Sequence, residues 1–151
     1  MAAVGKPRDA ALAAAIRHYE ERAAHYWPLQ IVEVKEESAG RTTPAQVMAK
    51  ETKRLLARVP AGATLVLCDA QGGQSLNSEA FATRLQAWRE EARDVVFVIG
   101  GAFGVDPSIR EAARLRLALA PWTLPHELAR LVLTEQLYRA GTILRGEPYH
   151  K

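Results

Sequence analysis

The stretch Val95-Val96-Phe97-Val98-Ile99-Gly100-Gly101-Ala102-Phe103-Gly104 decides the fold, because a short apolar run passes directly into a glycine-rich turn. A continuous run of valine, phenylalanine and isoleucine before a turn is typical of a strand that is buried on both faces of a parallel sheet. The run over residues 64–69 has the same character and is followed by the pair Gly72-Gly73. Both runs therefore predict buried strands of a parallel sheet.

Helical and extended segments alternate along the rest of the chain. Predicted helices begin at residues that commonly cap a helix or at a first-turn proline, as at Thr43-Pro44 and Asp106-Pro107. Helices are predicted over residues 9–26, 44–58, 78–91, 107–114 and 125–140, with Gly141 ending the last; further strands are predicted over 31–35, near a sheet edge, and 115–120. This order predicts one α/β domain over residues 1–151, with a mostly parallel sheet flanked by helices.

The composition is that of an ordinary globular domain. Of 151 residues, 48% are hydrophobic and 25% are charged, and the formal net charge is +3. This small basic excess permits an RNA partner without requiring one. Cys68 is the sole cysteine, which excludes an internal disulfide and a cysteine-rich zinc site. Since no stretch resembles a signal peptide or a membrane span, we expect a soluble, cytoplasmic protein.

Three turns are the expected place for a ligand, because open α/β sheets bind ligands beyond the carboxyl ends of their strands. They cover residues 68–73, 100–106 and 120–126. The pair Gly100-Gly101 can let the backbone approach a ligand closely, although an isolated pair is more often only a tight turn. The spacing lacks the third glycine of a dinucleotide fingerprint, and no phosphate-binding lysine follows. The turns therefore favour a nucleoside without a phosphate chain, held between apolar walls.

A stiff loop precedes the final helix, since Pro121 and Pro125 flank Trp122. Stiffness suits the wall of a preformed pocket, but Trp122 could instead be buried in the core. His126 stands in the first turn of the helix that follows. A histidine in such a place, taken alone, is more often structural than catalytic.

The final helix is apolar on more than one face, and its polar stripe holds Glu127, Arg130 and Thr134. A terminal helix needs one buried stripe, so a second apolar face predicts a homodimer, unless the helix is sunk against the sheet. The chain ends in Tyr149-His150-Lys151. Such tails are usually frayed, yet an aromatic ring, an imidazole and a cation are groups that stack on a base and hold a phosphate.

Four motifs near the C terminus carry a more specific signal. They are Val98-Ile99-Gly100-Gly101-x-x-Gly104, Trp122-Thr123-Leu124-Pro125-His126-x-Leu128-x-Arg130, Glu135-Gln136-Leu137-Tyr138-Arg139-Ala140 and Pro148-Tyr149-His150-Lys151. Each is weak alone, but together they closely resemble the ribosomal large subunit methyltransferase H family, whose members are small enzymes of the SPOUT superfamily. The resemblance covers essentially the whole chain.

The resemblance implies a deep trefoil knot in the C-terminal part of the α/β fold, a homodimer, and S-adenosyl-L-methionine as the methyl donor. The reaction would be methyl transfer to N3 of a pseudouridine in 23S rRNA of the assembled 70S ribosome, without a metal. The alternative is a non-catalytic ribosome-binding or assembly module with the same fold. A nucleotide-binding enzyme that holds phosphate in the glycine turn is disfavoured, because the lysine and hydroxyl of a phosphate loop are missing.

Carried over residue by residue, the resemblance implies two sets of site residues. The cofactor would contact Leu67, Cys68, Ile99, Gly100, Gly101, Leu119, Ala120, Pro121, Trp122, Thr123, Leu124 and Pro125. Catalysis, or contact with the RNA or the neighbouring subunit, would involve His126, Arg130, Tyr138, Arg139, Tyr149 and His150. The chain departs from the family at Ala102-Phe103, where Pro-Glu is frequent, so no acid is carried over there. The first strand is barely present, which puts its pairing in doubt.

Overall fold

The fold is built on one sheet of six parallel strands. It is taken from a computed structural model that describes residues 1–38, 40 and 42–150, with only the backbone of His150. The strands are β1 (Ala2–Val4), β2 (Val32–Val34), β3 (Thr64–Cys68), β4 (Gln74–Ser75), β5 (Val95–Ile99) and β6 (Leu115–Ala118). Their order across the sheet is β2-β1-β5-β3-β6-β4. The predicted parallel sheet is confirmed, with β3 and β5 at its centre and β2 at one edge.

Two strands, β1 and β4, differ from expectation. Strand β1 is complete and buried, and it pairs in parallel with both β2 and β5, so that Ala2 faces Val32 on one side and Val98 on the other. The doubt about its pairing was therefore wrong. Strand β4 was missed, because two exposed polar residues carry no hydrophobic alternation.

Five helices connect the strands: α1 (Ala10–Ala24), α2 (Pro44–Leu56), α3 (Ser78–Glu90), α4 (Pro107–Ala112) and α5 (His126–Leu144). The predicted starts hold because the capping residues act as caps. The side chain of Asp9 accepts from the Leu12 amide at 2.8 Å, and Asn77 accepts from Ala80 at the same distance. Thr43 and Gln46 satisfy each other's backbone amides in a capping box.

Helix α5 does not end at Gly141, and the prediction that it would was wrong. Gly141 lies inside the helix, where a Cβ atom would stand 2.6 Å from the Cβ and Cδ1 atoms of Tyr26. The glycine therefore admits an aromatic ring against the helix backbone. The helix ends at Leu144, before Gly146, whose φ of +67° is readily adopted by glycine.

The core lies on both faces of the sheet, and alternate residues of each central strand serve opposite faces. Leu65 and Leu67 of β3 join the cluster under α2 and α4, whereas Val66 joins the cluster under α1, α3 and α5. Helix α5 packs against both α1 and α3. Much of its second apolar face is thus covered within the chain, and the homodimer stays a prediction. Strands β3, β5 and β6 all end at one edge, which sets the site described next.

Candidate active site

A cleft of about 630 Å³ lies at the carboxyl ends of the central strands. Its walls are the turns that follow β3, β5 and β6 and the start of α5. Ten of the residues assigned to the cofactor line it: Cys68, Ile99, Gly100, Gly101, Leu119, Ala120, Trp122, Thr123, Leu124 and Pro125. Leu67 and Pro121 do not line it, because Leu67 is fully buried in the core and Pro121 is exposed beside the cleft.

The glycine turn is held tightly against the body of the protein. A Cβ on Gly100 would lie 2.6 Å from Cγ1 of Val105, and one on Gly101 would lie within 3.0 Å of Oε2 of Glu51. Both missing side chains would thus meet protein atoms. The two glycines therefore let the turn pack closely against the protein, as expected for a tight turn. The opposite side of the same turn lines the cleft.

The loop after β6 forms an exposed aromatic wall. Trp122 is 68% exposed and lines the cleft, so the alternative in which it is buried in the core was wrong. Phe103, on the glycine turn, is 44% exposed and also lines the cleft. Two aromatic rings are therefore available to a flat ligand. Phe103 stands where the family often has glutamate, so this turn is apolar in the present chain.

A buried carboxylate, that of Asp69, supports the floor of the cleft and was not among the predicted site residues. Asp69 directly follows β3 and is 8% exposed. Its Oδ2 lies 3.0 Å from Nε of Arg110 and 3.2 Å from Nη2 of Arg116, and its Oδ1 accepts from the Gln71 amide at 3.0 Å. These contacts match the buried charge and fix the turn after β3. In the sequence, the signal for this carboxylate was an acidic residue directly after a predicted buried strand.

Two titratable side chains of the predicted set, Cys68 and His126, stand at the cleft itself. Burial raises the pKa of the Cys68 thiol to about 12, so this thiol is neutral and suits a wall rather than a nucleophile. His126 lies at the entrance of α5, with Nε2 4.0 Å from Oε1 of Glu127. That glutamate also accepts from the Arg8 amide at 3.1 Å. His126 is thus the one member of the catalytic set that the described chain places at the cleft.

Arg130 is not on an exposed polar stripe, and that placement was wrong. Its side chain is 7% exposed, with Nε 2.8 Å from Oε1 of Glu20 and Nη1 2.6 Å from Oε1 of Glu33. Thr134 is also fully buried and donates to the Arg130 carbonyl at 2.9 Å. Arg130 therefore ties α5 to α1 and β2.

Tyr138, Arg139 and Tyr149 form a separate cluster with Tyr19 and Arg22, here called the tyrosine cluster. The rings of Tyr138 and Tyr149 have centroids 4.5 Å apart, and the Tyr149 hydroxyl lies 3.2 Å from that of Tyr19. The guanidinium of Arg22 lies 4.0 Å from the centroid of Tyr138, and that of Arg139 lies 4.9 Å from the centroid of Tyr149. None of these side chains lines the cleft of the same chain.

The end of the chain packs against the helices. Residues Pro148–His150 form a 3₁₀ turn on α5, and Tyr149 donates to Glu135 at 3.2 Å. Burial, with the nearby Tyr19 and Glu135, raises the pKa of Tyr149. The fraying alternative does not hold for Tyr149. The assignments that concern the His150 side chain and Lys151 lie outside the described residues.

Comparison with known proteins decides the family. The model of a protein family described as "Predicted SPOUT methyltransferase" matches residues 1–150. The chain belongs to this family. Three similar proteins carry the name ribosomal RNA large subunit methyltransferase H. That of Gemmatimonas aurantiaca is 60% identical over 148 residues, covering 98% of this chain and 96% of the relative.

The other two relatives have lower sequence identity to this chain, but the matches again cover nearly the full length of both proteins. The protein of Anaeromyxobacter dehalogenans is 44% identical over 149 residues, covering 99% of this chain and 96% of its own. That of Paracoccus denitrificans is 41% identical over 157 residues, covering 100% and 97%. The resemblance read from the four motifs is confirmed. Membership of the SPOUT methyltransferases also implies the knotted C-terminal part of the fold.

The cleft of this SPOUT methyltransferase fits the methyl donor S-adenosyl-L-methionine. Apolar and aromatic side chains line it, as an adenosine requires. Among the described residues that line it there is no lysine, and the one arginine, Arg110, is held by Asp69. A triphosphate would find little counter-charge there. Behind Gly101, one carboxylate oxygen of buried Glu51 has no hydrogen-bond partner, which suits a cationic guest.

The residues that the structure describes were also searched for a metal site and for a membrane-spanning helix. Within them, no group of three or more histidine, cysteine, aspartate or glutamate side chains could hold a metal ion. Over the same residues, no helix combines the length and the apolar character needed to cross a membrane.

Proposed function

We propose that this protein transfers a methyl group from S-adenosyl-L-methionine to N3 of a pseudouridine in 23S rRNA of the assembled 70S ribosome. It acts in the cytoplasm, as a homodimer. The observation that carries the proposal is the cleft, in which the turns assigned to the cofactor meet at one sheet edge. The names of the similar proteins, which are ribosomal RNA large subunit methyltransferases, support the substrate class.

The cofactor, when bound, supplies an electrophilic methyl group on a sulfonium sulfur. Ile99, Leu119, Leu124 and Trp122 line the cleft and would hold the adenosine part against apolar and aromatic surfaces. The backbone of residues 119–125 and of the glycine turn supplies donors and acceptors. The work of these residues is alignment, since a methyl transfer requires the attacking nitrogen directly behind the methyl group.

The substrate nitrogen carries an imide proton, which has to leave before or during attack. His126 is the group at the cleft that can accept this proton, directly or through a water molecule. His150 is the other candidate acceptor, whereas the raised pKa of Tyr149 keeps its phenol neutral and suits it to hydrogen bonding with the base. The positive charge of Lys151 favours the deprotonated base, and that of Arg139, whose Nη2 lies 2.7 Å from Oε1 of Glu135, would do so once this ion pair opens.

The tyrosine cluster does not reach the cleft of its own chain, and this distance favours a site shared between subunits. In the proposed homodimer, Arg139 and Tyr149 of one subunit face the cleft of the other, with the buried Tyr138 packed behind Tyr149. Arg130, which is buried with its two glutamates, orients α5 and thereby His126 and the tyrosine cluster. Its role is thus positioning rather than direct contact.

Two measurements test the function. Calorimetry should show S-adenosyl-L-methionine binding to the purified protein, and mass spectrometry of 23S rRNA from a strain lacking the gene should show loss of one methyl group from a pseudouridine. Ribosome binding without cofactor binding would favour the non-catalytic assembly module. Unchanged 23S rRNA in the deletion strain would contradict the proposed reaction.

A further inference from the structure

A buried glutamate stands directly behind the cleft and is not used by the mechanism above. Glu51 lies on α2 and is 2% exposed. Its Oε1 accepts a hydrogen bond from the Glu37 amide at 2.9 Å, but its Oε2 has no hydrogen-bond partner. This oxygen points to Gly101, since a Cβ there would lie within 3.0 Å of it. Gly101 itself lines the cleft.

A carboxylate in such a place is costly unless something offsets its charge. A buried carboxyl without a matching cation favours its neutral form, whereas a nearby cation favours the ionised form. Two basic side chains of the same helix, Lys50 and Arg54, are both engaged with Glu37, at 2.9 and 2.5 Å. Residues 100–105 of the facing turn carry no charge at all. The cleft on the far side of Gly101 is therefore the open place for a cation.

We propose that Glu51 is a positioning residue that supplies counter-charge, through the thin glycine turn, to the sulfonium group of S-adenosyl-L-methionine. The inference rests on the proposed function, which places this cofactor in the cleft. A glycine at position 101 keeps the carboxylate as near to the cleft as a backbone allows. The charge is absent from the product, S-adenosylhomocysteine, whose sulfur is neutral. Glu51 thus favours substrate over spent cofactor and assists release of the latter.

The same contact makes cofactor binding depend on pH. Burial raises the pKa of Glu51 in the free protein, and the Glu36 carboxylate adds to this, against the Glu37 amide and Arg54. Asp106 also faces α2, where its amide donates to Thr52 at 3.0 Å. A bound sulfonium lowers the pKa of Glu51, so binding releases a proton at any pH at which Glu51 is protonated in the free protein. Affinity for S-adenosyl-L-methionine therefore rises as the pH rises through the raised pKa.

Calorimetry on the full chain tests the inference with two ligands, S-adenosyl-L-methionine and S-adenosylhomocysteine. We expect Glu51→Gln to weaken binding of S-adenosyl-L-methionine about tenfold and binding of S-adenosylhomocysteine less than about twofold. The reason is that only S-adenosyl-L-methionine has a charged sulfur. The variant's affinity for S-adenosyl-L-methionine should also no longer rise with pH. The matched control is Glu111→Gln, which removes an exposed carboxylate that solvent screens and should change neither affinity by more than about twofold.

Equal weakening of both ligands, or no change in either, would overturn the counter-charge and leave Glu51 a packing residue. If the Glu51→Gln protein does not fold, proton release by the wild-type protein tests the inference instead. Titrations in two buffers of different ionisation enthalpy should show proton release with S-adenosyl-L-methionine and less with S-adenosylhomocysteine, and equal release would overturn the inference. A wild-type protein that binds neither ligand would instead overturn the proposed function itself.

Discussion

Replacement of Gly141 by alanine tests whether α5 is seated by the close approach of Tyr26. The new Cβ would lie 2.6 Å from two atoms of Tyr26, about 1 Å inside normal contact. The ring is held in place, because its hydroxyl donates to Glu147 and it meets Tyr138 with centroids 5.7 Å apart. Overpacking costs about 1–3 kcal/mol, against about 1 kcal/mol gained when a helical glycine becomes alanine. We expect Gly141→Ala to lower the free energy of unfolding by up to about 2 kcal/mol.

Urea denaturation followed by circular dichroism measures this loss in two backgrounds. In a Tyr26→Ala protein the obstructing ring is gone, so the same Gly141→Ala change should raise the free energy of unfolding, by up to about 1 kcal/mol. The sign of the effect thus reverses between backgrounds. An equal loss in both would refute the packing explanation, because it would mean that the glycine is needed for a reason unrelated to Tyr26.

Four other outcomes are expected. Arg130→Met should lower the free energy of unfolding by about 2–4 kcal/mol in urea, because two partly buried glutamates lose their partner, and a change below about 1 kcal/mol would contradict this. Trp122→Ala should leave stability within about 0.5 kcal/mol yet weaken S-adenosyl-L-methionine about tenfold by calorimetry, unless the ring does not touch the cofactor. The hydrogen bond to Glu147 raises the pKa of Tyr26 to about 12, so stability present below about pH 10 should be lost as the pH rises towards 12. In a Tyr26→Phe protein the free energy of unfolding should fall less steeply over this pH range, and an unchanged slope would contradict the role of Tyr26. Deletion of residues 149–151 should abolish methylation while cofactor binding persists, and normal methylation of ribosomes would contradict a role for the tail.

Local signals predicted the helix starts well because each is settled within a few residues. Asp9, Thr43, Asn77 and Asp106 all accept hydrogen bonds from amides in the first turn of their helices. The parallel strands β3 and β5 were equally legible, since burial on both faces requires a continuous apolar run. Much of the sheet and the place of the cleft followed from these features.

Features set by distant parts of the chain could not be read in the same way. Gly141 has the look of a helix terminator, and only the position of Tyr26, more than a hundred residues earlier, shows that it is a contact point. Arg130 looks like a surface charge, because its glutamate partners belong to α1 and β2. Side chains whose partners come from other elements are not identified by periodicity.

Three features of the site were equally hard to predict from the sequence. The separation of the tyrosine cluster from the cleft depends on how α5 crosses the sheet, and the motifs carry no such information. The exposure of Trp122 was one of two open alternatives, because a proline-flanked aromatic residue is compatible with either. Glu51 lies within an amphipathic helix whose pattern gives no reason to single it out.

The position of β1 has a consequence for how the chain folds. Ala2 pairs with Val98, so β1 acquires its second neighbour only after about 96 further residues have been made. Until then one edge of β1 offers unpaired amides and carbonyls, which is a template for association between nascent chains. Pairings of such long sequence separation also slow folding. Refolding should accordingly be slow and sensitive to protein concentration.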